Sequence, residues 1–246
     1  MSNLISRRKL LASLPAASGL LLTGSKDSLP PTYGSLLGLG DALTFASHRL
    51  LLRNQPLARE FGREMISKRF PAINTTNPAS AQYQGLRAGR FTEWWLPIEG
   101  LVSNHLKLSL DDLKRFPSRT QVTQHSCEQG WSAIAEWTGV PLARVLQEAG
   151  MLPQARYVVF YAVDGWWDSL EMLDALHPQT LLAYGMNGRE LPVPYGAPVR
   201  LRVERQLGYK NLKYVIRIEV TDRLDNIEDG TGAVGVAEGY SWYAGI

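Results

Sequence analysis

Residues 119–150 decide the fold and read RTQVTQHSCEQGWSAIAEWTGVPLARVLQEAG. The stretch from Arg119 to Gln124 contains threonine and valine, which favour strands, and it predicts a strand that leads directly into Cys127. Pro141 to Gly150 predicts a helix, because proline is favoured at a helix start and glycine at its end. Leu142, Val145, Leu146 and Ala149 fall on one face of that helix.

The flanking sequence predicts more strands without a regular strand–helix alternation. Trp94 to Val102 is strand-like, and Ser109-Leu110-Asp111-Asp112 has the pattern of a capped helix start. Three further strands are predicted at Tyr157–Val163, Val199–Glu204 and Tyr214–Thr221. This mixture favours an α+β fold.

Composition indicates a globular chain that is neutral apart from its N-terminus. The 246 residues are 45% hydrophobic and 20% charged, with one cysteine. One thiol cannot form an internal disulfide, an iron–sulfur cluster or a structural zinc site. The net charge of +3 is that of Arg7, Arg8 and Lys9, because residues 1–25 contain no acid and the remainder holds equal numbers of acids and bases. No nucleic-acid partner is therefore expected.

The first 25 residues are typical of an export signal. Ser6-Arg7-Arg8-Lys9-Leu10-Leu11 precedes an apolar stretch that runs to about Thr23. The paired arginines resemble the twin-arginine motif, so we expect the twin-arginine export machinery as a partner and the periplasm as the destination. An ordinary secretory signal or an uncleaved N-terminal anchor is the alternative.

Between this signal and the main domain we expect a linker and a helical N-terminal arm, residues 26–90. Residues 26–40 are rich in Gly, Pro and Ser, whereas 41–53 and 57–67 have helical apolar spacing. Residues 71–90 are expected to form an irregular loop. The main domain is expected to cover residues 91–246.

Cys127 allows three interpretations. It is a buried inert thiol, a nucleophile with a histidine base, or a thiolate ligand to a metal whose other ligands come from a cofactor. His125, two residues away, would share its face on a strand. The residues alone do not choose between the last two interpretations.

A basic segment lies further along the chain. In residues 196–214, GAPVRLRVERQLGYKNLKY, a strand with alternating arginines runs into a turn rich in lysine. Arginine forks and backbone amides in such a turn suit a phosphate, whereas the alternative is a solvated basic strand face.

Together these segments resemble the oxidoreductase molybdopterin-binding domain of the sulfite-oxidase fold. The nearest branch is the bacterial periplasmic one that includes the methionine-sulfoxide reductase catalytic subunit. The matching text is CEQGWSAIAEWTGVPLARVL at 127–146, ALHPQTLLAYGMNGRELPVPYGAPVRLRV at 175–203 and LGYKNLKYVIRIEV at 207–220. The resemblance implies a mixed sheet with flanking helices.

The resemblance also implies the site. Cys127 would be the catalytic residue and the metal ligand, holding a molybdenum–molybdopterin cofactor. Arg200 would contact the pterin phosphate, the loop Asn211-Leu212-Lys213 would also bind the cofactor, and Asn74 is the candidate for an asparagine that reaches it.

Three positions depart from the family pattern. Gln129 replaces a carboxylate, Ala162 a threonine and Tyr195 an asparagine. Glu128 is next to Cys127, but adjacent side chains on an extended segment point to opposite faces, so we do not expect it to replace that carboxylate.

The expected function is therefore that of an exported molybdenum-cofactor oxidoreductase that transfers oxygen atoms, such as a sulfoxide reductase. The substrate would be small or protein-bound, and electron transfer would involve a b-type haem membrane protein or a soluble cytochrome. The alternatives are sulfite-type oxidation that passes electrons to a cytochrome, a cofactor-binding protein without turnover, and a thiol hydrolase. True sulfite oxidases carry an arginine-rich segment after the cysteine, which this chain lacks.

Overall fold

The computed structural model describes residues 38–52, 54 and 56–246. The predicted signal and most of the predicted linker lie outside these residues. None of the helices in the described part has the length and apolar character needed to cross a membrane.

The described residues form ten strands and six α-helices. The strands are β1 (Trp95–Gly100), β2 (Leu106–Ser109), β3 (Arg119–Ser126), β4 (Ser132–Pro141), β5 (Tyr157–Ala162), β6 (Trp167–Glu171), β7 (Leu181–Met186), β8 (Arg189–Glu190), β9 (Arg200–Arg202) and β10 (Val215–Thr221). The helices are α1 (Leu39–Leu51), α2 (Ala81–Ala88), α3 (Leu110–Arg115), α4 (Leu142–Ala149), α5 (Met172–Ala175) and α6 (Val234–Ala237). Short 3-10 turns occupy Arg63–Met65, Val193–Tyr195 and Gly208–Lys210.

The strands form two sheets, of which the first is mixed and the second is antiparallel. The first has the order β2-β1-β10-β5-β6, in which β1 and β10 are parallel and the other neighbours are antiparallel. The second has the order β3-β4-β7-β8, and β9 also pairs with β7. This arrangement confirms the predicted α+β class with a mixed sheet.

One apolar core joins the two sheets. Val158 and Phe160 of β5 face it from the first sheet, and Val140 and Leu182 face it from the second. The predicted apolar face of α4 is buried in the same core, and Gly150 ends the helix in the left-handed conformation. The expected helix start at Ser109 is also confirmed, since Ser109 and Asp112 form a reciprocal capping box.

A second apolar cluster attaches the N-terminal helix to the C-terminal tail. Phe45 of α1 packs edge-on against Tyr243, with ring centroids 5.2 Å apart. Arg49 donates to the buried carboxylate of Asp174 at 2.8 Å, and this contact holds α1 against the domain.

Two predictions for the arm were wrong. Residues 57–67 are not an α-helix, because their backbone pairs with the second sheet instead: Phe61 N donates to Val122 O and Ser67 N donates to Ile134 O. Residues 71–90 are not wholly irregular, since Ser80 caps α2 by accepting from Tyr83 N. The spacing of apolar residues indicates neither that residues 57–67 pair with the second sheet nor that a helix as short as α2 forms.

Each predicted strand corresponds to an observed strand, but several observed strands were not predicted. The predicted segments correspond to β1, β3, β5, β9 and β10, with ends that differ by a few residues. The segments β2, β4, β6, β7 and β8 were not predicted. Several of them are nearly continuous buried runs, such as LLAYGM in β7, whose lack of alternation hides the strand period.

Candidate cofactor site

A cavity of about 200 Å³ opens where the ends of the two sheets meet. Its walls come from a loop at residues 70–75, the turn after β3, the turn between β5 and β6, the segment between β8 and β10, and the C-terminal tail. All six residues predicted for the site line it: Asn74, Cys127, Arg200, Asn211, Leu212 and Lys213. The fold therefore brings together residues that are up to 139 positions apart, while the role of each remains a prediction.

Cys127 lies in a tight turn directly after β3. Its N–H donates to Trp131 O at 2.9 Å, and its carbonyl accepts from Gly130 N at 3.1 Å. Gly130 has a φ of +87°, a conformation that glycine adopts without strain. The side chain is only 7% exposed, and burial raises the pKa of the thiol.

The expectation for Glu128 was wrong. Glu128 and Gln129 both line the cavity, and Cys127 Sγ lies 3.4 Å from Glu128 Oε2. The alternation of side chains holds within a strand, but β3 ends at Ser126 and the cysteine already belongs to the turn. Glu128 therefore supplies a carboxylate beside the thiol.

Arg200 is a buried cation with no carboxylate partner in the described part of the chain. Its Nη1 donates to Tyr195 O at 3.0 Å and its Nη2 to Asn211 O at 2.8 Å, while its buried Nε finds no acceptor there. Burial lowers the pKa of Arg200 to about 9, and the nearby charge of Arg202 adds to this effect. The guanidinium is still charged at pH 7, and an anion in the cavity would stabilise it.

Lys213 is a second such cation. Within the described part of the chain, its Nζ donates only to backbone carbonyls: Ile73 O at 2.8 Å, Thr75 O, and Pro194 O at 3.3 Å. Burial lowers the pKa of Lys213 to about 8, with a smaller contribution from the charge of Arg200. The carbonyls of Ile73 and Thr75 flank Asn74, so Lys213 also holds the Asn74 loop at the cavity.

Asn211 and Asn74 each stabilise or accommodate the loop in which they lie. Asn211 Oδ1 accepts from Val203 N at 2.8 Å, and its Nδ2 donates to Leu207 O at 3.1 Å. Asn211 therefore fixes the loop that presents Leu212 and Lys213. Asn74 has a φ of +55°, a left-handed conformation that asparagine tolerates better than most residues.

Arg202 neighbours Arg200 but is paired. Its Nη2 donates to Glu204 Oε2 at 2.6 Å and its Nε to Glu204 Oε1 at 3.1 Å. Its Nη1 lies 2.7 Å from His125 Nδ1. Burial and the charges of Arg202 and Arg200 lower the pKa of His125 to about 2, so the imidazole is neutral.

Several of the residues that line the cavity were not predicted from the sequence. An aromatic set lines it: Phe70, Trp131, Trp166, Tyr195, Tyr209 and Tyr240. Asp164 and Glu238 add carboxylates. Tyr195, where the family pattern has asparagine, donates its hydroxyl to Phe70 O at 2.8 Å, and Ala162 lies in the apolar core. No periodic pattern marks these residues, since they come from loops and from the tail.

A cysteine that shares a cavity with two cations lacking a carboxylate partner among the described residues is typical of a domain that binds an anionic metal cofactor. The chain belongs to the oxidoreductase molybdopterin binding domain family, whose model matches residues 84–226. The resemblance inferred from the sequence is thereby confirmed. The departures at Gln129, Ala162 and Tyr195 do not change this membership.

The relatives agree with this assignment. The chain is 41% identical over 150 residues to the "Putative protein-methionine-sulfoxide reductase subunit YedZ1" of Azospira oryzae, covering 61% of this chain and 55% of that protein. It is 31% identical over 170 residues to the protein-methionine-sulfoxide reductase catalytic subunit MsrP of Ralstonia nicotianae, covering 63% and 51%. The chain thus spans about half the length of the curated relatives it matches.

A solved structure shows the same fold. The sulfane dehydrogenase SoxCD from Paracoccus pantotrophus matches with a TM-score of 0.51 and 27% identity, over 58% of this chain and 40% of that chain. The expected sulfite-oxidase-type fold is thereby confirmed.

Gly208 tests the geometry of the site. A Cβ at this position would lie 2.6 Å from His125 Nε2 and 3.3 Å from Cys127 Cα, and the packed imidazole has little room to move. We expect Gly208→Ala to lower the free energy of unfolding by about 1–3 kcal/mol, as overpacking does. Chemical denaturation measures this change.

Gly85→Ala is the matched control, because a Cβ at Gly85 of α2 meets nothing within 4 Å. It should be neutral or slightly stabilising. If Gly208→Ala and Gly85→Ala have equal free energies of unfolding, then Gly208 does not lie as close to His125 as described.

Proposed function

We propose that this chain is an exported molybdenum-cofactor oxidoreductase that catalyses oxygen-atom transfer, such as the reduction of a sulfoxide. One observation carries the proposal: Arg200 and Lys213, two buried or half-buried cations without carboxylate partners among the described residues, share a cavity with the single cysteine. A phosphate-bearing cofactor with a thiophilic metal would satisfy both features.

The residues present fit such a group. Arg200 Nε is buried and has no acceptor in the described part of the chain, so a donor is available for an anion. Gly196, with a φ of +111°, lets the chain pass close to Lys213 and Arg200, since a Cβ there would lie 2.9 Å and 3.1 Å from their Cβ atoms. Both cations therefore lie beside Gly196 in the lining of the cavity.

Each residue would have a separate task. Bound molybdopterin supplies a molybdenum centre able to exchange an oxygen atom and two electrons. Cys127 would ligate the metal, while Arg200 and Lys213 would hold the anionic end and orient the cofactor. The aromatic wall would exclude water from the cavity and provide an apolar surface for a sulfur substrate.

The charges that line the cavity favour an uncharged substrate. Once Arg200 and Lys213 are given to the cofactor, the remaining charged lining residues of the described chain are Glu128, Asp164 and Glu238. A sulfite dianion needs cationic partners, and these carboxylates would repel it. A neutral sulfoxide is not repelled by these carboxylates. Two of the relatives carry sulfoxide reductase in their names.

In the proposed reaction a sulfoxide accepts two electrons and two protons and yields a thioether and water. The electron donor would be a b-type haem membrane protein or a soluble cytochrome. The same exchange in reverse would oxidise a sulfur compound and pass electrons to the cytochrome.

The contacts of His125 argue against a thiol hydrolase. A nucleophilic cysteine needs an imidazole that accepts the thiol proton. Here His125 Nδ1 faces the Arg202 donor, and the thiol is close to the carboxylate of Glu128. Neither contact activates a thiolate.

Two substitutions separate the proposed roles. Cys127→Ser replaces a soft ligand by a hydroxyl but leaves the anion anchor, so the protein should keep much of its pterin and lose activity. Arg200→Ala removes charge-assisted contacts worth about 1.5–3 kcal/mol each, so cofactor affinity should fall roughly 10- to 100-fold. Pterin fluorescence after oxidative release and molybdenum analysis measure both effects.

Arg115→Ala, an exposed arginine of α3 outside the cavity, is the control and should keep full cofactor. Wild-type turnover per molybdenum in Cys127→Ser would show that the cysteine is not the ligand. Full occupancy in Arg200→Ala would exclude the anchor role.

Substrate preference gives a direct test of the reaction. With reduced viologen as electron donor, the purified protein should reduce methionine sulfoxide or other neutral sulfoxides. Oxidation of sulfite with cytochrome c should be at least about tenfold slower, because the carboxylates at the cavity repel the dianion. The opposite order of rates would favour the sulfite-type alternative.

Export is a separate part of the proposal and rests on Arg7 and Arg8 of the sequence. Replacing both by lysine keeps the charge and removes the paired arginines that the twin-arginine machinery recognises. We expect precursor to accumulate in the cytoplasm with nearly complete loss of the periplasmic form, measured by fractionation and immunoblotting. Normal export of the double variant would contradict the twin-arginine route.

A further inference from the structure

His125 places a polar group in the cavity wall that the proposed cofactor contacts do not use. The side chain is 6% exposed, it lines the cavity, and it lies two residues before Cys127 at the end of β3. Among the described residues, no group accepts a hydrogen bond from its Nε2.

The position of the proton on His125 follows from its neighbour. An arginine only donates, so Arg202 Nη1, 2.7 Å from His125 Nδ1, requires Nδ1 to accept. The neutral ring then carries its proton on Nε2. Arg202 cannot turn away, because both carboxylate oxygens of Glu204 hold it, and Glu204 Oε1 also accepts from Gln121 at 3.0 Å.

The ring is also fixed in orientation. Its centroid lies 5.4 Å from that of Phe70 and 5.5 Å from that of Trp131, and its Nε2 edge faces Gly208 of the cavity lining. A Cβ at Gly208 would also lie 3.3 Å from Cys127 Cα, so the Nε2 edge of His125 and the cysteine backbone both lie close to Gly208. The nearby Arg202 charge polarises the N–H in surroundings that are largely aromatic.

We propose that His125 Nε2–H donates a hydrogen bond to the oxygen of the sulfur substrate and thereby selects compounds with an S=O group. This inference rests on the proposed function. A neutral, preorganised donor beside apolar rings suits an uncharged but strongly polar acceptor, and it does not compete for the anionic end of the cofactor, which Arg200 and Lys213 hold.

Two substitutions distinguish this role from a purely structural one. In His125→Gln the amide nitrogen occupies the place of Nε2 and keeps a donor toward the cavity. In His125→Asn the shorter amide occupies the place of Nδ1, so it can accept from Arg202 but offers no donor at the Nε2 position. A structural role would spare the asparagine variant, whereas the proposed role would spare the glutamine variant.

The experiment uses the molybdenum-loaded protein and two readouts. One is the KM and kcat for methionine sulfoxide with reduced viologen. The other is the Kd for dimethyl sulfone, an S=O ligand used without turnover, measured by calorimetry. His125→Asn should raise both KM and Kd about five- to tenfold at unchanged molybdenum content, as expected for one hydrogen bond. His125→Gln should stay within about twofold of the wild type, as should His105→Asn, an exposed histidine outside the cavity.

The remaining outcomes overturn the inference. Equal Kd values for wild type and His125→Asn would show that the donor does not touch the S=O group. Loss of molybdenum or of affinity in His125→Gln would assign the histidine to supporting Arg202. If the wild type holds molybdenum but reduces no sulfoxide, the proposed function fails as well, whereas sulfoxide turnover with unaffected His125 variants removes only this inference.

Discussion

The site depends on the burial of positive charge that no carboxylate of the described residues pairs with. Arg200 and Lys213 donate to backbone carbonyls but have no carboxylate partner among the described residues. Their pKa values are lowered, mainly by burial, which shows that the cations are held at a cost to the folded state. An anion bound in the cavity would relieve this cost and couple folding to cofactor binding.

The surrounding fold sustains this arrangement. Arg202 and Arg200 both lie over the ring of Trp137, with guanidinium carbons 4.4 Å and 5.0 Å from its centroid. Among the described residues, Arg202 pairs with the carboxylate of Glu204, whereas Arg200 has no carboxylate partner. The two arginines lie on the same face of β9 but differ in their ion pairing. One is neutralised and fixes His125, and the other remains available to a ligand. The same strand can therefore support the wall of the cavity and bind an anion.

Much of this could be predicted from sequence, but not all of it from residue patterns. The proline and glycine that bound α4 and the reciprocal cap at Ser109 are local signals, and they were sufficient. The meeting of Cys127 with Arg200 was inferred from a family resemblance, because the spacing of the residues left other interpretations open. The contact of Arg202 with His125, 77 residues apart, had no local signal. The position of Glu128 was misjudged because the alternation of a strand was extended into a turn.

The central claim is that the cavity around Cys127 holds one molybdenum cofactor, and metal analysis of the mature protein purified from the periplasm of a cofactor-competent host tests it most directly. The account predicts about one molybdenum and one pterin per chain, since one thiolate can ligate one such metal. Stoichiometric zinc, or protein without metal from such a host, would contradict it.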